Sequence, residues 1–283
     1  MKTFKVLLLK LLPHHALSRL VGSFTGSARF PYRHRIMKWL ARVYCINMDE
    51  AIEPRIDAYP TPNSCFTRAL KPEVRPFDSR PNVFCSPVDG TLGQLGKIQQ
   101  NRLYQAKGHE FTLEELLGGR EKSAQEFING RYATAYLSPK DYHRVHMPYG
   151  GRLRETIHVP GRLFSVAPLY VERIPRLFAR NERVISLFDT PQGSLAVILV
   201  GAIFVSSMET VWAGLITPPQ ARRVQLVNYV NGAAPIILDK GSEMGRFNMG
   251  STVIVLVANS NFAWDTSLTA GSALRMGQTM GQF

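Results

Sequence analysis

From residue 83 onward, apolar positions form short runs bounded by glycines and other turn-forming residues, which is the pattern of β-strands. The longest run, LAVILVGAIFV, has 11 residues, well short of the ~20 that a membrane span needs, and predicts a buried strand pair or one long strand. Thr112 and Glu115 form a capping-box pattern and predict a helix over Thr112–Leu117. The predicted strands are Tyr132–Leu137, Gly151–Val159, Arg183–Asp189, Leu195–Val205, Met208–Gly214 and Ser251–Ala258.

The first 50 residues follow a helical pattern instead. Apolar residues recur at helical spacing in two segments that also carry basic residues. Prolines between positions 54 and 81 predict that residues 51–85 form an extended connector. The expected fold class is α+β: a β-rich domain at 76–283, preceded by amphipathic helices and a connector at 1–75. The two apolar stripes are Phe4, Leu7, Leu8, Leu11 and Leu12, and then Tyr32, Ile36, Trp39, Leu40 and Val43.

Positive charge is concentrated in this helical region. The chain has a net charge of +13, and residues 1–50 hold nine basic against two acidic residues. Such a segment favours an anionic partner, either a nucleic acid or an acidic membrane surface. Basic amphipathic helices with aromatic residues are typical of the membrane interface. The alternative is that the stripes pack on the protein core.

Other sequence features exclude several protein classes. Lys10 interrupts the N-terminal apolar stretch and no clean small-residue cleavage site follows, which disfavours a secretory signal peptide. The basic residues are not spread along a sheet with stacking aromatics, which disfavours nucleic-acid binding. Three cysteines without a close pair predict neither a disulfide framework nor a zinc site, and we expect Cys45, Cys65 and Cys85 to be buried thiols.

Three segments carry candidate catalytic residues. His143 and His146 would share one face of a helix and could bind a metal there, although the flanking prolines allow at most two helical turns. Asp89 lies in a Pro-Val-Asp-Gly run, where aspartate is ordinarily a turn residue. Ser251 follows Met249-Gly250 and precedes a predicted strand, so it reads first as part of a turn.

Ser251 also has a chemical interpretation. Its hydroxyl oxygen can attack the preceding carbonyl, which Gly250 leaves unshielded, and convert the amide to an ester. β-Elimination would then split the chain, and hydrolysis of the dehydroalanine would leave a pyruvoyl group. The step needs a base, and a histidine oriented by an aspartate suits that role. A serine hydrolase using Ser251, His146 and Asp89 is the alternative, although the chain lacks a G-x-S-x-G elbow there.

Taken together, these segments resemble the bacterial, pyruvoyl-dependent phosphatidylserine decarboxylases of prokaryotic type I. The resemblance covers most of the chain after residue 60. It departs at Met249, where the family usually has leucine, a volume-conserving change. The segments that carry it are PVDG around Asp89, QLGKI at 94–98, QAKGHEFTLEELLGG at 105–119, YLSPKDYHRVHMP at 136–148, NERVISLFDT at 181–190, VGAIFVSSMETVWAG at 200–214 and GST at 250–252.

The resemblance implies a precursor that cleaves itself between Gly250 and Ser251. Chains 1–250 and 251–283 would remain associated as a heterodimer, with further dimerisation left open. Ser251 would become the pyruvoyl cofactor, Asp89, His146 and Ser251 would form the self-cleavage triad, and His143 would contact substrate or handle a proton. The enzyme would convert phosphatidylserine to phosphatidylethanolamine and CO2 through a Schiff base, without a metal or a nucleic-acid partner. It would lie peripherally on the cytoplasmic face of the inner membrane.

Overall fold

The computed structural model describes residues 6, 9, 12–204, 207–217, 223–232, 234–248 and 251–283. Strands dominate this part of the chain and the helices are short, which confirms the β-rich α+β fold class. The helices are α1 (His14–Thr25), α2 (Arg33–Val43), α3 (Pro62–Phe66), α4 (Leu113–Leu116), α5 (Glu121–Glu126), α6 (Pro168–Val171) and α7 (Leu177–Arg180), with 3-10 turns at Ile56–Ala58 and Pro72–Val74.

The strands of the described residues form one large sheet and three smaller ones. The large sheet has the order β12-β7-β8-β9-β15-β5-β2-β17, with β13 also paired to β7. The smaller sheets are β11-β10-β14-β6, β1-β18-β16 and β3-β4. The strands are β1 (Val83–Cys85), β2 (Gly90–Lys97), β3 (Arg102–Ala106), β4 (His109–Thr112), β5 (Arg131–Leu137), β6 (Arg144–His146), β7 (Gly151–Val159), β8 (Arg183–Thr190), β9 (Gly193–Val200), β10 (Ser207–Thr210), β11 (Gly214–Thr217), β12 (Gln225–Asn228), β13 (Ile237–Leu238), β14 (Glu243–Asn248), β15 (Ser251–Val257), β16 (Ala263–Trp264), β17 (Ala273–Leu274) and β18 (Thr279–Gln282).

Strand β15 lies near the centre of the large sheet. It pairs antiparallel with β5 on one side and with β9 on the other, and all of its residues are buried. A strand that is covered on both faces needs apolar side chains at successive positions, and the run Val253–Val257 supplies them. This burial explains why the segment reads as a continuous apolar run instead of an alternating one.

Several local predictions are confirmed. Strands β5, β7, β8 and β15 match their predicted positions to within one residue at either end. Helix α4 begins as the capping box requires: Thr112 Oγ1 accepts from the Glu115 backbone N–H, and the Glu115 carboxylate accepts from the Thr112 N–H.

Other local predictions are wrong. Residues 51–85 are not a simple extended connector, because α3 forms within them; Pro62 is accepted as its first residue, where a missing N–H costs nothing. Strand β9 ends at Val200, since Gly201 turns away to bond Asn181 and Glu182. Met208–Gly214 is not one strand: it contains most of β10, the turn at 211–213 and the first residue of β11. Cys45 is exposed, whereas Cys65 and Cys85 are buried.

The apolar stripe of α2 faces outward. Met37 and Ala41 pack inward, whereas Tyr32 and Trp39 are each 58% exposed, and Ile36 and Val43 are exposed as well. The alternative that this stripe packs on the core is therefore wrong for these four residues. The stripe predicted from Phe4 to Leu12 lies outside the described residues except at Leu12.

No helix within the described ranges is long and apolar enough to cross a membrane.

Because β15 is buried between two neighbouring strands, shortening one of its buried side chains should destabilise the protein strongly. Ile254 is fully buried, and Ile254→Ala should lower the free energy of unfolding by about 2–5 kcal/mol, as measured by urea denaturation. Ile237→Ala is the matched control, since Ile237 is 63% exposed and its truncation should change stability by less than about 0.5 kcal/mol. Equal losses in the two variants would contradict a core centred on β15.

Candidate active site

The segments that carry the predicted site residues converge at one end of the large sheet. Ser251 begins β15 opposite Leu137, the last residue of β5. On the other side of β5, Thr91 pairs with Tyr136, which places Gly90 opposite Leu137. Ser251 and the start of β2 are therefore separated by two strand spacings, about 10 Å. Gly90 is required here because a Cβ at that position would collide with the Tyr136 carbonyl.

Ser251 is fully buried at this junction. Its Oγ has no hydrogen-bond partner among the described residues. A buried hydroxyl without a partner is uncommon in folded proteins and costs free energy. The Ser251 hydroxyl therefore makes no structural hydrogen bond with the described residues and is available for chemistry. Met249 and Gly250, which precede it, lie outside the described residues.

Asp89 is held by an arginine that the sequence analysis did not single out. Arg75 donates from Nε to Asp89 Oδ1 at 2.9 Å and from Nη2 to Oδ2 at 2.7 Å. The backbone N–H of Met276 also donates to Asp89 Oδ1, at 2.8 Å. The same Nη2 donates to Glu50 at 2.8 Å, so one guanidinium connects two carboxylates. This two-pronged geometry fixes the Asp89 carboxylate firmly.

His146 lies close to Asp89 along the backbone, since its N–H donates to Pro87 O at 2.9 Å. Its Nδ1 lies 2.8 Å from the Gly241 carbonyl, which can only accept, so Nδ1 carries the proton and Nε2 the lone pair. The Tyr142 hydroxyl lies 3.4 Å from Nε2 and donates to it. Burial lowers the pKa of His146, against opposing contributions from Gly241 and Glu243. His146 is therefore a neutral imidazole with a basic nitrogen.

His143 is also a neutral imidazole, in a fully buried position. Its Nδ1 donates to the Asp141 carbonyl at 2.8 Å, and its Nε2 is buried without a partner among the described residues. Burial lowers the pKa of His143 to about 3. The ring packs against Phe66 at a centroid distance of 4.0 Å. The backbone carbonyl of His143 accepts a hydrogen bond from the Phe247 N–H at 3.0 Å. Phe247 lies in β14, four positions before Ser251.

The two histidines do not share a helical face. His146 ends strand β6 and His143 directly precedes it, so their odd separation turns the side chains to opposite faces. They contact different rings accordingly: His143 packs on Phe66, and His146 lies near Phe77. Within the described ranges, no group of three or more His, Cys, Asp or Glu residues could hold a metal ion.

Arg68 is a further charged group that the sequence analysis missed. It is 4% exposed, and its Nε and Nη1 are buried without a hydrogen-bond partner among the described residues. Burial lowers the pKa of Arg68, and its charge in turn favours the neutral form of His143. The proline-rich composition of residues 51–85 predicted a connector. It gave no indication that an arginine of this segment lies near His143.

Comparison with known proteins then assigns the chain. Residues 63–282, more than half of the chain, match the family described as phosphatidylserine decarboxylase, and residues 4–45 match the family described as PSD. The chain belongs to the phosphatidylserine decarboxylase family. Its relatives are similar over nearly their whole length, so the family covers the helical region and the sheets alike.

Three curated relatives illustrate this similarity, and each is named phosphatidylserine decarboxylase proenzyme. The protein of Pseudomonas putida GB-1 is 52% identical over 96% of this chain and 95% of its own length. That of Ectopseudomonas mendocina is 52% identical, with 96% and 95% covered. That of Pseudomonas fluorescens Pf-5 is 52% identical, with 96% and 94% covered. The word proenzyme describes these relatives as precursors of the active decarboxylase.

The buried histidine of this family member makes its stability depend on pH. The folded protein holds His143 with a pKa of about 3, whereas an unfolded imidazole takes up a proton near 6.5. The unfolded chain therefore binds more protons between these values, and the free energy of unfolding should fall as pH decreases through this range.

The variant His143→Asn should make that dependence shallower, because it removes one group that must be neutral to fold. Urea denaturation between about pH 4 and pH 7 measures the slope. We expect the variant to be less stable at every pH, since His143 is fully buried, and the slope and not the absolute stability is the readout. An unchanged slope would contradict the burial of a neutral imidazole at this position.

Proposed function

We propose that this protein is a self-cleaving precursor that decarboxylates phosphatidylserine to phosphatidylethanolamine and CO2. Family membership supports the reaction, and the buried, unpartnered Ser251 hydroxyl at the meeting point of three candidate segments is the observation that carries the mechanism. In this proposal residues 1–75 form the membrane-associating region and connector, and residues 76–283 the catalytic domain.

Self-cleavage begins at the Ser251 hydroxyl. Its oxygen attacks the Gly250 carbonyl and displaces the amide nitrogen, which gives an ester. β-Elimination releases the Gly250 carboxylate and leaves dehydroalanine at 251, and hydrolysis with loss of ammonia gives the pyruvoyl group. Chains 1–250 and 251–283 stay together because β15 remains paired with β5 and β9. A second pairing of such heterodimers is compatible with this arrangement.

His146 is the proposed base for this step. Its protonated Nδ1 is held by Gly241, so Nε2 is the nitrogen that can take a proton. Asp89 contributes its negative charge from a position fixed by Arg75, and that charge favours the imidazolium that forms when His146 accepts the proton. Together with Ser251, these residues make the proposed self-cleavage triad.

His143 is proposed to act in the decarboxylation step. Once formed from Ser251, a pyruvoyl group would supply a carbonyl able to bond the substrate amine and to draw electrons from the carbon–carboxylate bond. The buried Nε2 of His143 carries a lone pair and has no structural partner in the described part of the chain, so it is free to hold or pass a proton at the substrate. The buried surroundings also exclude water from this transfer.

The membrane surface is the proposed location, on the cytoplasmic side of the inner membrane. The outward stripe of α2 and the exposed Leu20 and Phe24 of α1 offer apolar contacts, and the surrounding arginines and lysines offer charge to anionic lipid. Because the proposed substrate is a lipid, binding through this surface would place the active site next to the lipid headgroups.

Changing the nucleophile should abolish processing. Wild-type protein should give two bands on a denaturing gel, and the smaller chain should resist N-terminal sequencing because a pyruvoyl group has no free amine. Ser251→Ala should remain one full-length, inactive chain. Ser260→Ala, an exposed serine in a turn, is the control and should be cut normally. An uncut wild-type chain that releases acyl groups would instead indicate a serine hydrolase.

Removing an aromatic residue from the outward stripe should weaken membrane binding. Trp39 is 58% exposed, and Trp39→Ala should reduce co-sedimentation with vesicles of anionic phospholipid by about tenfold, because the indole no longer enters the interface. Tyr104→Ala, which removes an exposed aromatic ring from β3, should bind as the wild type does. Equal binding by both variants would contradict the assignment of α2 to the membrane.

A further inference from the structure

A cavity of about 290 Å³ lies between α1 and the end of β14. It adjoins the candidate site, because Asn248 lines it and stands three positions before Ser251. This volume is near the lower limit for small-molecule pockets, which suits a polar headgroup better than a whole lipid. Other residues that line it are Arg19, Gly22, Asn63, Ser207 and Leu215.

One wall of this cavity is a fixed network of polar side chains. Asn63 Nδ2 donates to Asn248 Oδ1 at 2.7 Å, and Asn248 Nδ2 donates to Glu209 Oε1 at 2.7 Å and to Ser207 Oγ. Glu209 is also paired with Arg246 at 3.6 Å, so its charge is balanced from outside the cavity. The wall is therefore polar, rigid and without an unbalanced negative charge that would repel an anion.

The opposite wall carries a positive charge on α1. Ser18 faces the protein, where its Oγ accepts from Phe204 N–H at 3.1 Å, whereas Leu20 is 54% and Phe24 50% exposed. Arg19 lies on the flank between these two sides of the helix, since successive helical residues are 100° apart. Its guanidinium makes no ion pair with a described residue. It therefore stands between the lipid-facing side of α1 and the cavity.

We infer that Arg19 binds the phosphodiester of the lipid headgroup in this cavity, an inference that rests on the proposed function. A guanidinium matches two oxygens of a phosphate with parallel hydrogen bonds. The substrate carboxylate is the less suitable ligand, because a cation that stabilises the leaving carboxylate lowers the ground state and slows its loss. The phosphodiester keeps its charge throughout the reaction. The acyl chains leave the cavity past Leu215, which is 61% exposed.

Variants of Arg19 test this role in the self-cleaved enzyme. Arg19→Gln should be processed normally, and its KM for phosphatidylserine in neutral-detergent micelles should rise about tenfold with little change in kcat. Arg19→Lys, which keeps the charge and loses the two-pronged geometry, should fall between this variant and the wild type. Arg102→Gln removes an exposed arginine from β3, away from the helices that we assign to the membrane, and should retain the wild-type KM. Equal KM values for Arg19→Gln and Arg102→Gln would overturn the inference.

Competition with soluble headgroup fragments separates the two anionic groups of the substrate. Glycerophosphoethanolamine has the phosphodiester and no carboxylate, whereas serine has the carboxylate and no phosphate. Arg19→Gln should weaken inhibition by glycerophosphoethanolamine about tenfold and leave inhibition by serine unchanged. The reverse result would assign Arg19 to the carboxylate and overturn the inference. A wild-type enzyme that is cut but does not decarboxylate phosphatidylserine would count against the proposed function and not against Arg19 alone.

Discussion

The double pairing of β15 is the constraint on which the rest of the site depends. Its backbone is bonded to β5 and to β9, and every one of its side chains is buried. A shift of one residue in the pairing would move every side chain of β15 to the opposite face of the sheet and break its present packing, so the register is strongly determined. Ser251 is consequently held at the end of the sheet opposite Leu137. The same pairing would keep the small chain in place once the bond before Ser251 is cut.

Charge at the site is separated into two kinds of environment. Arg75, Asp89 and Glu50 form a compact charged network in which each carboxylate meets a guanidinium nitrogen. The two histidines, by contrast, are neutral, and backbone carbonyls hold the proton of each on Nδ1. This arrangement leaves a lone pair on Nε2 of both rings without the cost of burying an imidazolium. Each ring therefore has a nitrogen that can accept a proton in the chemistry that we propose.

Helix α1 links the outer surface to the candidate site. His14 packs against Phe164 and Ser18 bonds Phe204, so the inner side of the helix is attached to the catalytic part of the chain. Its outer side presents Leu20 and Phe24. A helix of 12 residues thereby places the surface that we propose faces lipid within ~10 Å of a headgroup-sized cavity, which is about the width of one helix.

The amino-acid sequence alone determined the features that depend on neighbouring residues. The periodicity of β5, β7 and β15, the capping box at Thr112 and the amphipathic α2 were all readable, and the motifs around Asp89, His146 and Ser251 indicated the family. Only the tertiary structure decided where β9 ends, that His143 and His146 face opposite ways, and that Arg75 holds Asp89. These features depend on contacts between segments far apart in the chain, where the partner of a buried charge is chosen by packing and leaves no local pattern.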